Sequence, residues 1–171
     1  SSLVGGLTNS GQITGTYFGI GVSGSSQLND GIFNLGTISG PGIAAIGVWT
    51  NAEISGGINN EGLITGLNLG IGLGAQSYIS GGITNSGILF GASAISLADS
   101  SQVVGDVINA GTIIGTAKAI SLVNDSKIIG ALNNTGLIAG NTAISLLNST
   151  ITGGLTNSGM IAGLAGTAIT V

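Results

Sequence analysis

The tripeptide Asn-x-Gly returns at Asn9, Asn34, Asn60, Asn85, Asn109, Asn134 and Asn157, at intervals of 25, 26, 25, 24, 25 and 23 residues. So constant a period, sustained over all 171 residues, restricts the fold to stacked, similar units. Aliphatic residues keep phase with the Asn. One stands two positions before it, from Leu7 and Ile32 to Leu155, and another six before it, from Leu3 and Leu28 to Ile151. A third stands four after it, from Ile13 and Ile38 to Ile161, and each unit closes on Ile-x-Leu or Ile-x-Val, as at Ile20 and Val22 or Ile95 and Leu97.

Even spacing inside each short run is the alternation of strands with one buried face, and Gly, Asn and Ser punctuate the runs. Helices are disfavoured by 34 Gly residues, each costing about 1 kcal/mol relative to Ala in a helix interior. Strands of four or five residues cannot stand alone as a sheet, but they can pair with the equivalent strands of the units above and below. The expected fold is all-β: a parallel β-solenoid of about seven coils of about 25 residues, with three short strands per coil. The whole chain reads as one solenoid domain, its coils falling at approximately 1–24, 25–50, 51–75, 76–99, 100–124, 125–148 and 149–171.

The repeated Asn has the parity of an inward position. Its amide is expected to bond to the equivalent Asn on neighbouring coils, making a structural ladder of Asn9, Asn34, Asn60, Asn85, Asn109, Asn134 and Asn157. The Gly two residues on, and the Gly that ends the phrase, suit corners that need either positive φ or close approach of backbones.

The phrases GGLTNSGQITG…GIGV and GALNNTGLIAGNTAISL resemble the repeats of bacterial autotransporter passengers and related large surface adhesins, over the whole chain. The resemblance implies a right-handed parallel β-helix on the surface of, or outside, a bacterial cell, serving as a stalk or scaffold. The resemblance specifies an architecture and no activity.

Residues able to do chemistry are few. Charged residues make up 5% of the chain, and His, Cys and Arg are absent, which disfavours transition-metal sites and most catalytic constellations. The six acids occupy different phases of the repeat; Asp99 and Asp125 come nearest to one another, beside Lys127, and read as a solvated turn. Two Lys against six acids provide no basic patch for phosphates, so nucleic acid is not an expected partner. Apolar stretches break well before the roughly 18 to 20 residues of a membrane span. No enzyme activity, cofactor, metal or catalytic residue is expected. A carbohydrate-active β-helix enzyme is the weakest alternative, and an ice-binding module is opposed by a mixed outward row of Thr8, Phe33, Asn59, Thr84, Ile108, Asn133 and Thr156.

Outward positions beside the apolar slot of Asn-x-Gly-x-[Ile/Leu] become apolar along the chain, at Leu63, Ile88, Phe90, Ile114, Leu137 and Met160. In a solenoid these are expected to form a continuous lateral contact stripe. The outward residue of the closing strand is always small (Gly21, Gly47, Gly72, Ser96, Ser121, Ser145, Thr170), which predicts a flat face. Both features, with open strand edges at the first and last coils, favour association with other copies of the chain, laterally and end to end, in an extracellular fibre or an adhesin stalk that meets a host or neighbouring cell.

Overall fold

The computed structural model describes residues 1–171. It is a parallel β-solenoid of seven coils in which every strand pairs with its equivalents in the adjacent coils. The first sheet stacks Ser2–Leu3, Gln27–Leu28, Glu53–Ser55, Tyr78–Ser80, Gln102–Val104, Lys127–Ile129 and Thr150–Ile151. The second stacks Leu7–Asn9, Ile32–Asn34, Ile58–Asn60, Ile83–Asn85, Val107–Asn109, Leu132–Asn134 and Leu155–Asn157.

The third sheet departs from a simple short strand. In the first three coils it is made of two strands each: Gln12–Thr14 with Phe18–Ser23, Thr37–Gly40 with Ala44–Trp49, and Leu63–Gly66 with Leu69–Gly74. In the next three coils the two halves fuse into Ile88–Leu97, Thr112–Val123 and Leu137–Leu147, with register irregularities after Gly91 and Gly115 marking the former corner. At that corner the closing Gly is required by space: a Cβ on Gly15, Gly66 or Gly115 would run into the carbonyl oxygen of Phe18, Leu69 or Lys118. The last coil has Met160–Gly163 and Ile169–Thr170 on the same sheet.

Apart from those two shifts, equivalent residues pair in register from coil to coil. Ile20, Ile46, Ile71, Ile95, Ile120, Ile144 and Ile169 form one inward column along the third sheet. Ile54, Ile79, Val103 and Ile128 belong to a column from the first sheet, and Ile58, Ile83, Val107 and Leu132 to one from the second. All of these pack into one continuous apolar core except Ile169, which is exposed in the last coil. No helix is long and apolar enough to cross a membrane.

Two kinds of corner need left-handed backbone. Between the first and second sheets a glycine pair such as Gly56 and Gly57 takes φ of 87° and 78°. Between the third and first sheets two consecutive residues do so in most coils, and they include Thr50, Ala75 and Gln76 with φ of 62°, 51° and 60°. Those side chains make the conformation costly. It persists because the inter-coil bonds over-determine it: the Asn51 amide donates to the Ala75 carbonyl and the Gln76 amide to the Asp99 carbonyl.

Candidate functional site

The Asn residues end the strands of the second sheet with their side chains turned inward, and all but Asn157 are buried. Each Nδ2 donates to Oδ1 of the next Asn, at 2.8 Å from Asn9 to Asn34, Asn34 to Asn60, Asn60 to Asn85 and Asn85 to Asn109. The distance is 2.7 Å from Asn109 to Asn134 and from Asn134 to Asn157. The same nitrogen donates to the carbonyl of the Gly two residues on and to a carbonyl of the next coil, as Asn60 does to Gly62 at 3.2 Å and to Ile88 at 3.1 Å. The Asn backbone carbonyl accepts two amides from the following corner; Asn60 takes those of Ser86 and Gly87. One residue type thus satisfies an entire buried corner, which otherwise would hold unpaired polar groups.

The Gly of Asn-x-Gly does not adopt positive φ. It is there for close approach: a Cβ on Gly62 would run into the Gly36 oxygen, and one on Gly111 into that of Gly87.

A second column, serine except at Ala52, lies between the third and first sheets, eight residues before each Asn. Ser77, Ser101 and Ser126 are buried there. Ser77 Oγ donates to the Gly74 carbonyl at 2.8 Å and accepts the Ala52 amide at 3.3 Å, while the Ser77 amide donates to Ser101 Oγ at 3.3 Å. Ser126 Oγ is buried without a partner.

The outward apolar residues form two columns. One runs Leu63, Ile88, Thr112, Leu137, Met160, the other Thr65, Phe90, Ile114, Ala139, Ala162. All six named apolar residues remain at least partly exposed, with Ile88 and Met160 the most open at 46% and 60%. The expected continuous stripe is interrupted by Thr112 in one column and shortened to alanine in the other, because alternate outward positions of one strand stand on separate rows.

The face of the closing strands is flat only in part. In the first three coils its small residues are a floor beneath larger ones. A Cβ on Gly21 or Gly47 would meet the Phe18 ring, and one on Gly72 the Leu69 Cδ1 and the Trp49 indole. Trp49 Nε1 is buried there with no acceptor, a cost of about 1–3 kcal/mol. Further along, Ser96, Ser121 and Ser145 occupy the same row.

The charged residues are dispersed. Asp99 aligns with Asn124, whose Nδ2 donates to its Oδ1 at 2.9 Å, and so stands one position out of phase with Asp125. Glu53 accepts from Ser80 Oγ at 2.8 Å, and Asp106 accepts the Ala131 amide at 2.8 Å. No three acidic side chains converge as a metal would need. The concavity in the first coil is lined by Leu3, Leu7, Ile20, Val22 and Leu28 and is the mouth of the apolar core. No protein family, curated protein or solved structure matches the chain.

Proposed function

We propose that the chain is a structural rod of a bacterial cell-surface or secreted assembly, a fibre or adhesin stalk, in which extension and side-by-side contact between copies are the function and no substrate is turned over. One observation carries this reading: each coil offers the next the same strand edges and the same outgoing Asn amide, so the rod lengthens without any new kind of contact. Parallel strand edges of this sort template further pairing. Axial contact uses those edges; lateral contact uses two neighbouring columns on one face, the first holding Leu63, Ile88 and Leu137 and the second Phe90 and Ile114.

Electron microscopy of the purified chain across a concentration series is the test. The expected result is unbranched filaments that bundle as concentration rises, with bundling lost and filaments kept in Ile88→Lys and Leu137→Lys. Dispersed single rods at every concentration would overturn self-assembly, and bundling unaffected by both substitutions would overturn the lateral surface.

A further inference from the structure

Trp49 belongs to the second coil, yet its indole reaches across the third. A Cβ on Gly47 would stand 2.5 Å from its Nε1, one on Gly72 3.2 Å from Cζ2 and Cη2, and one on Gly74 2.5 and 2.6 Å from Cζ3 and Cε3. Three floor positions that meet both ends of the ring system require an indole laid along the sheet. The ring system therefore lies over glycine backbone, and the side chain is half-buried, with Nε1 covered and the remainder of the indole partly open. The Phe18 ring covers Gly21 and Gly47 immediately beside it.

This arrangement is more than cover for the glycines. Phe18 covers its floor with a phenyl ring and leaves nothing unpaired, whereas the indole buries an N–H without an acceptor. What the indole adds in return is a broader flat apolar face, already desolvated on its underside. We infer that this shelf binds a glycan, with the apolar face of a flat β-1,4-linked pyranose chain stacked on Trp49 and Phe18 as the adjoining platform. The surroundings favour a sugar over a charged partner. Ser23 pairs in register with Trp49, and Thr50, Asn51 and Gln76 follow at the turns beside it, so the neighbouring polar groups are neutral hydroxyls and amides suited to sugar hydroxyls. The charged side chains of the first three coils, Asp30, Glu53 and Glu61, belong to the first and second sheets and their corners, and Asp99 stacks one coil beyond Gln76, whose amide its carbonyl accepts. The inference stands whether or not the rods polymerise.

Trp49 is the single tryptophan of the chain, so its emission reports this shelf alone. Titrating the full chain with cellohexaose or chitohexaose is expected to give a saturable change in that emission, and the chain is expected to be retained on microcrystalline cellulose or chitin. Trp49→Ala, with an unchanged circular-dichroism spectrum, weakens retention at least about tenfold. Phe18→Ala, which keeps the reporter, weakens the fluorescence-detected binding by a smaller factor. An emission spectrum indifferent to both oligosaccharides overturns the assignment, as does retention that survives both substitutions. Self-association abolished by Trp49→Ala, in a chain that no glycan binds, would give the shelf to a second copy instead.

Discussion

Over the first three coils the closing strands carry Gly21, Gly47 and Gly72 beneath Phe18, Trp49 and Leu69, whereas over the next three the same row is Ser96, Ser121 and Ser145, beside Ser93, Lys118 and Thr142. Beneath both halves the inward column is Ile without exception. That column admits one residue, and the inward columns beside it vary only among Ile, Val and Leu, because every coil must hand the next nearly the same volume and the same pattern of hydrogen bonds. Outside, size is conserved only in sum: where the strand residue shrinks to glycine, a neighbour's ring fills the space. The glycines lose more backbone entropy on folding than serine would, and the apolar area that Phe18 and Trp49 bury against them offsets it.

The claim that the halves share one interior is broken most severely by Gly62→Ala and Gly111→Ala. Each drives a Cβ into a carbonyl of the preceding coil, and each is expected to cost about 3 kcal/mol, read from urea denaturation followed by circular dichroism. A cost confined to one half would refute a common interior. Next come Asn60→Ala and Asn109→Ala, which remove the amide from three carbonyl acceptors apiece and should each lose about 2–3 kcal/mol in the same assay. The outside is where the halves must differ. Gly72→Val is expected to lift the indole, shift Trp49 emission to the red and cost about 1–2 kcal/mol, while Ser96→Val stays within about 0.5 kcal/mol. At the indole itself the expected change, on Trp49→Phe, is small. That substitution removes the unpaired N–H and should leave stability within about 1 kcal/mol of the parent, on either side.

Much of the frame was legible because it is periodic. The aliphatic positions at fixed offsets from Asn are the buried columns, and the parity of the Asn itself points to an inward amide. Periodicity is silent on what it does not repeat. Which corner takes left-handed backbone could not be read from the Gly of Asn-x-Gly, since close approach and positive φ both favour that residue; the glycine pair one strand earlier has the positive φ, and Thr50 and Gln76 adopt it with no compositional signal. The serine column was missed because Ser is common in this chain and its offset of eight lies across a turn. The role of Trp49 was not legible because a solitary residue has no pattern, and its contacts are with Gly47 of its own strand and with Gly72 and Gly74 of the following coil.

The ladder partners are never more than 26 residues apart along the chain, from Asn9 to Asn34 and onward to Asn157. Closing each coil therefore costs much the same loop entropy wherever it lies, and no part of the molecule waits for a distant part to arrive. Once a few coils have nucleated, each new turn of chain would meet a finished template, and folding is expected to propagate along the rod. A chain drawn lengthwise through a narrow opening would rebuild itself on the far side at the pace of its emergence, and the free energy released by each closing coil would oppose its slipping back.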